Sequence, residues 1–306
     1  MNQDDMIDRQ KYIYNNGIGW KCTDFQAKFP PQHQNVQPGM EYLMKPLPVF
    51  DNPCYKGSGK LAGKTAIITG GDSGLGRAIA VAFAKEGANL VLVYYNEDKD
   101  AAYTKQYVEQ FGASCILIKG DIKDPSFSQK IVQTTLNTFN KIDILINDAG
   151  VQFQQKQLTD ISNEQFDYTM KTNVYGMFYL TKTALPYLSA GASIINLTSI
   201  TTFEGEPELM DYVTSKGAIV GFTRALATNL AAQNIRVNAV APGFFWTPLQ
   251  PACWEASKIP TLGADSPMKR AGEPYEIAPI FVYLASDDAS YTTGQVFHIN
   301  GGQYKG

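Results

Sequence analysis

The strongest constraint in this chain is an alternation. Seven short apolar runs, rich in β-branched residues, are separated by longer helix-like segments. The runs are Lys64 to Thr69, Asn89 to Tyr94, Ser114 to Lys119, Ile142 to Asn147, Ala192 to Thr198, Ile235 to Ala241 and Gln295 to Asn300. Near-continuous apolar runs suit strands covered on both faces. Between them lie Leu75 to Glu86, Asp98 to Phe111, Pro125 to Phe139, Gln165 to Leu185, Tyr212 to Ala232 and Pro274 to Ala285. The pattern predicts an α/β fold: a doubly wound, seven-stranded parallel sheet with helices on both faces. It begins only at Leu61, so the 306 residues read as one catalytic-sized domain, 61–306, behind an N-terminal extension, 1–60.

The extension differs in composition. It holds Pro30, Pro31, Pro38, Pro46, Pro48 and Pro53, six of the chain's 16 prolines, among glutamines. Proline fixes φ and removes a donor, which argues against long helices and central strands there. One reading is a solvated tail. The other is an ordered arm, because Phe25, Phe29, Tyr42, Leu43, Met44, Leu47, Val49 and Phe50 are too apolar for solvent. Gly57 to Lys60 then reads as a linker.

Charge and cysteines exclude several classes. A net charge of −3 argues against a general nucleic-acid binder. No apolar run reaches the length of a membrane span. The polar start, Met1 to Asp5, lacks the pattern of a secretion signal. Cys22, Cys54, Cys115 and Cys253 show no CxxC spacing, which fits reduced thiols and a cytoplasmic protein. His33 and His298 are too far apart in sequence to suggest a metal pair, so no metal is expected.

The first run ends in Thr69-Gly70-Gly71-Asp72-Ser73-Gly74-Leu75-Gly76 and opens a helix. A glycine loop between strand and helix lets the backbone approach a pyrophosphate. The helix N-terminus offers it unpaired N–H groups and a partial positive charge. The glycines Gly70, Gly74 and Gly76 form TGxxxGxG, not GxGxxG. With the motifs that follow, Leu61 to Gly302 resembles the short-chain dehydrogenase/reductase family, which has a Rossmann fold.

The resemblance implies NAD or NADP. In a Rossmann unit an acid after the second strand accepts from the adenosine ribose and selects NAD. Here Tyr94 stands there, followed by Tyr95 and Asn96, and the family's basic residue for a 2′-phosphate falls at Ser73. Arg77 and Lys99 are nearby cations that read equally well as helix-surface residues. The absence of an acid at Tyr94 leans toward NADP or dual use, against which stand Asp72 and Glu97. Asp121 and Ile122 would meet the adenine; a turn or cap role for Asp121 is the alternative. Asn147, Ala149 and Gly150 match the family's NNAG, with Asp148 replacing its second Asn. Pro242, Gly243, Phe245 and Thr247 match PGxxxT and would face the nicotinamide end. Asn300 stands where the family usually has Asp.

Tyr212 and Lys216 are four apart, on one helix face. A nearby ammonium lowers a phenol's pKa toward working pH, which suits proton transfer. Ser199 precedes them at the end of the fifth run, and Asn173 lies in the preceding helix. Asn173, Ser199, Tyr212 and Lys216 match the family tetrad in order and spacing. By resemblance Tyr212 exchanges the proton, Ser199 holds the substrate oxygen, Lys216 also binds the nicotinamide ribose, and Asn173 holds a relay water.

The expected activity is hydride transfer between nicotinamide and an alcohol or carbonyl. The rivals are an acyl-thioester ketoreductase and a catalytically silent dinucleotide-binding sensor or scaffold. Glu204, Glu206 and Glu208 follow Ser199 and read as either a polar substrate wall or a solvated loop. Pro248 to Met268 reads as a lid, with Trp246 and Trp254 as apolar contacts or core. The extension further resembles a bacterial branch of general-stress and glucose-dehydrogenase-like oxidoreductases. Family habit implies a homotetramer with the arm on its surface or on a neighbouring subunit.

Overall fold

The computed structural model describes residues 28–306; the sequence readings at Cys22 and Phe25 lie outside them. The strands are β1 (Thr65–Thr69), β2 (Asn89–Tyr94), β3 (Cys115–Lys119), β4 (Ile142–Asn147), β5 (Leu188–Leu197), β6 (Arg236–Pro242) and β7 (Val296–Ile299). They form one parallel sheet in the order β3-β2-β1-β4-β5-β6-β7. The chain winds outward from β1 to β3, then returns to pair β4 with β1. That reversal opens a crevice at the carboxyl ends of β1 and β4.

The main helices are α1 (Gly74–Lys85), α2 (Asp98–Glu109), α3 (Pro125–Phe139), α4 (Asn163–Met170), α5 (Gly176–Ala184), α6 (Met210–Leu230) and α7 (Ala278–Ala285). Successive strand residues serve opposite faces. Ile68 packs with Ala78, Phe83, Val108 and Phe281 of α1, α2 and α7. Its neighbour Ile67 packs with Ile131, Leu180 and Leu230 of α3, α5 and α6. Both faces are therefore dry, as the apolar runs require.

Three sequence expectations change. The helix expected over Gln165 to Leu185 is interrupted by a π-turn, Lys171–Tyr175, which holds Asn173. The wider turn lets the Asn173 side chain reach the β4 loop. The helix expected from Pro274 begins as a 3₁₀ turn, Pro274–Glu276, before α7. Gly57 to Lys60 is not a free linker: the Ser58 and Lys60 N–H groups both donate to Glu86 Oε2 at 2.9 Å.

From residue 28 the arm lies on its own chain. Phe29 stacks on Trp246, with ring centroids 3.9 Å apart, and Trp246 Nε1 donates to Pro46 O at 2.9 Å. Met44 and Phe50 are buried. Val49 N–H donates to Glu273 Oε2 at 2.8 Å. Over the described residues the ordered-arm reading holds.

Candidate active site

The glycine loop sits at the mouth of the crevice. Gly74 has φ +52°, a left-handed conformation that disfavours a side chain. A Cβ on Gly76 would fall 2.0 Å from Gly70 O. The Ser73 side chain does not cap α1. Instead Gly74 N–H donates to Glu41 Oε2, from the arm, at 2.6 Å. The Asp148 carboxylate is part-buried on the crevice wall beside Gly76, where a Cβ would fall 2.9 Å from its Oδ2. Burial raises the Asp148 pKa to about 7, opposed by Lys216 and the Gly76 backbone.

Arg77 is buried, not on the helix surface. It is ion-paired to Glu41 and to Asp100 Oδ1, the latter at 3.1 Å. Its Nε and Nη2 also donate to Asp72 O at 3.1 and 2.9 Å. Arg77 therefore faces inward and is unavailable to a 2′-phosphate. Lys99 lies over the Tyr42 ring, with Nζ 4.1 Å from its centroid.

Asp72, Ser73, Leu75, Tyr94, Tyr95, Glu97, Asp121 and Ile122 line the crevice. Asn96 does not; it is exposed, and its N–H donates to Glu97 Oε2 at 2.8 Å. Asp72 Oδ2 is buried without a hydrogen-bond partner. Burial, then the facing Glu97, pushes the Asp72 carboxyl well above its usual range, and burial also raises Glu97. Tyr94 donates to Asp98 Oδ1 at 2.9 Å. Asp121 Oδ1 accepts from Lys123 N–H at 2.9 Å, a turn role, while the residue still lines the crevice.

Asn147 lies beneath the crevice. Its Nδ2 donates to Asn196 Oδ1 at 2.8 Å, and its Oδ1 is buried without a partner. Ala149 and Gly150 form the wall above it. Asn173 Oδ1 accepts from Val151 N–H at 2.8 Å; its Nδ2 donates to Val151 O and to Ser215 Oγ, both at 2.9 Å. Both side-chain donors are thus taken, so the Asn173 side chain anchors residues 150–151 and has no N–H left for a relay water.

Tyr212, Lys216 and Ser199 converge at the inner end, all buried. Lys216 Nζ donates to Leu197 O at 2.8 Å and lies 5.5 Å from the Tyr212 ring centroid. Burial lowers the Lys216 pKa to about 8, opposed by Asp148. The Tyr212 phenol moves opposite to expectation: burial pushes it up, and its hydrogen bond with Ser199 only partly offsets this. Burial disfavours the phenolate, and the neighbouring Cys253 and Asp148 push the phenol the same way.

A second cavity continues from Tyr212. Ser199, Gln152, Glu206, Pro242, Gly243, Phe244, Phe245, Thr247, Gln250 and Trp254 form its walls. Of the three glutamates only Glu206 lines it. Glu208 is paired with Lys258, and Glu204 accepts from Gln303 at 2.8 Å. Phe245 packs its ring over Gly272, where a Cβ would come within 2.6 Å of it. Trp246 and Trp254 are core residues, buried with Phe29 and Met44. Asn300 closes the C-terminal turn, accepting from Gly302 N–H at 2.9 Å.

Sequence reasoning missed Pro38 and Gly39, which line the crevice from the arm, and Glu41 behind the loop. It also left Tyr168, Thr172 and Lys123 without a role, though they line the same crevice. No periodicity marks such residues, because tertiary packing alone brings them there.

The crevice fits a dinucleotide. It runs from carboxylates, past a glycine loop at a helix N-terminus, to buried Tyr212 and Lys216, where the second cavity brings in Ser199. A family model described as enoyl-(acyl carrier protein) reductase matches residues 70–303. The chain is 56% identical over 273 residues to an uncharacterized oxidoreductase, YhxC, of Bacillus subtilis, covering 89% of this chain and 95% of the relative. It is 44% identical over 278 residues to "NADPH-dependent aldehyde reductase 1, chloroplastic" of Arabidopsis thaliana, covering 89% and 96%. A Brucella melitensis crystal structure titled short-chain dehydrogenase/reductase SDR, glucose/ribitol dehydrogenase, superposes with a TM-score of 0.74. It shares 34% identity, over 82% of this chain and 100% of that one.

Proposed function

The chain belongs to the short-chain dehydrogenase/reductase family and is an NAD(P)-dependent oxidoreductase, and within that class we propose that Tyr212 is its general acid–base. The observation that carries this reading is the convergence of Tyr212, Ser199 and Lys216, all buried, where the crevice meets the inner cavity. When bound, NAD(P) supplies the hydride acceptor or donor. Ser199 Oγ holds the substrate oxygen against Tyr212. A phenol kept protonated by burial is ready to donate to a carbonyl oxygen. Lys216, charged below about pH 8, steadies the phenolate left behind and reaches toward the ribose. Gly70, Ser73, Gly74, Leu75 and Gly76 cradle the pyrophosphate. Asp121, Ile122, Ala149 and Gly150 hold the adenosine side, and Pro242, Gly243 and Thr247 the nicotinamide side.

We read residues 61–306 as the catalytic domain and 1–60 as its arm. Both NAD and NADP are taken as cofactors. Tyr94 carries no charge against a 2′-phosphate, whereas Asp72 and Glu97 favour a 2′-hydroxyl. The inner cavity joins the amides of Gln152 and Gln250 and the Glu206 carboxylate to the Trp254 ring. That lining suits a small hydroxylated aldehyde, ketone or alcohol. Tyr175, at the end of the π-turn, and Phe178, on α5, are exposed aromatics, 43% and 42% accessible, which fits burial in a homotetramer. Among the described residues no helix is long and apolar enough to cross a membrane. The described cysteines Cys54, Cys115 and Cys253 are unpaired, consistent with a reducing cytoplasm.

The test is fluorescence titration with NADH and NADPH, followed by turnover on sugars, polyols, small aldehydes and acetoacetyl thioesters. Turnover confined to thioesters favours the ketoreductase. Cofactor binding with no turnover on the whole panel favours the silent sensor.

A further inference from the structure

We propose that Glu41, in the N-terminal arm, is a positioning residue for the dinucleotide: it sets the glycine loop and makes the arm a working part of the cofactor site. The inference rests on reading the crevice as an NAD(P) site. Glu41 is wholly buried, and its two carboxylate oxygens do different work. Oε2 accepts the Gly74 N–H at 2.6 Å, at the first residue of α1. Oε1 accepts from Arg77 Nη1, one turn further along that helix. Arg77 in turn holds Asp72 O, on the other side of the loop, with Nε and Nη2. Thr104 Oγ1 donates to the same carbonyl at 2.6 Å. Asp100 completes the cluster, accepting Glu41 N–H at 2.9 Å and Tyr42 N–H at 3.2 Å. The loop residues that meet a pyrophosphate are thus gripped at both ends by one buried ionic cluster, and the arm supplies its central carboxylate.

The cluster also decides which amides remain for an anion. The first N–H groups of a helix have no partner within it. Glu41 takes the Gly74 N–H, the first of α1. Leu75, the next residue, lines the crevice. A carboxylate from the arm therefore removes one helix-terminal donor from those open to an anion.

The same arm segment grips the opposite wall. Gly39 lies so close to Pro248 that a Cβ would fall 2.3 Å from its carbonyl oxygen. Gln34 N–H donates to Pro251 O at 2.7 Å, and Gln37 Nε2 to Ala252 O at 3.2 Å. Residues 34–41 thus bridge the glycine loop and the segment after β6, the two walls that must meet around the cofactor.

The experiment is Glu41→Gln in the full-length enzyme, read by NADH and NADPH titration, steady-state kinetics and thermal melting. Loss of a charge-assisted hydrogen bond to the loop predicts a rise of about tenfold in cofactor Kd and KM, with kcat at saturating cofactor changed less than about threefold. A melting point that drops while cofactor KM stays within twofold shows a purely structural role and overturns the proposal. If Glu41→Gln does not fold, Gly39→Ala tests the bridge through Pro248 without touching the ion cluster. A rise of fivefold or more in cofactor KM supports the proposal, and an unchanged value overturns it. The wild type separates the two levels of inference. If it binds neither cofactor, the reading of the crevice fails; if it binds and both variants match it, only the role of the arm fails.

Discussion

Asp148→Asn turns a part-buried carboxylate on the crevice wall into its neutral isostere, and the structure says what should follow. Burial raises the Asp148 pKa from 3.8 to about 7. The folded chain therefore holds a proton that the unfolded chain has already released over this range. A raised folded-state pKa gives stability that is full below the unfolded value and is lost as pH rises through the folded one. Roughly three units at 1.36 kcal/mol each give a swing of about 4 kcal/mol between pH 4 and pH 8. Glu41, Asp72 and Glu97 are raised as well and add in the same direction, so the variant must be compared with the wild type at each pH. Urea unfolding at pH 4.5, 6 and 8 is the assay. The wild type is expected to lose roughly 3–4 kcal/mol relative to Asp148→Asn across that range. The cofactor gives a second reading: without a carboxylate on the crevice wall, NAD(P)H should bind more tightly at pH 8 than in the wild type. Unfolding curves that run parallel within about 1 kcal/mol at all three pH values would refute the burial argument.

Two further predictions address the arm and the assembly. Met44→Ala opens a cavity beneath Trp246 and should cost about 2–5 kcal/mol by urea unfolding, whereas a peripheral arm would leave stability within about 0.5 kcal/mol. Phe178→Asp places a charge on the exposed aromatic face; sedimentation should show the tetramer breaking to smaller species, and an unchanged tetramer, or a wild type that is already monomeric, argues against that interface.

Periodicity carried the sheet. β2 and β4 fall within the same residues in sequence and structure, because strands dry on both faces leave an unbroken apolar signal. The glycine loop and the Tyr–Lys pair were legible for a related reason, since their chemistry depends on short local spacing. Three features were hidden. The π-turn at Asn173 has no composition signal, because it arises from the reach of one side chain to Val151. Arg77 looked like a surface cation because its partners, Glu41 and Asp100, come from elements far away in sequence. The arm could not be placed from its prolines, since only tertiary contacts such as Phe29 on Trp246 separate a packed strap from a solvated tail.

The central claim is that Tyr212 moves the proton in hydride transfer at this crevice. Tyr212→Phe removes one oxygen and leaves the ring packed with Trp246 and Trp254. The most direct measurement is turnover of wild type and variant with NAD(P)H on a carbonyl substrate, beside cofactor titration of both. Loss of the phenol should lower kcat about 10²–10⁴-fold with cofactor Kd within twofold. A variant that keeps a tenth or more of wild-type turnover while binding cofactor normally would contradict it.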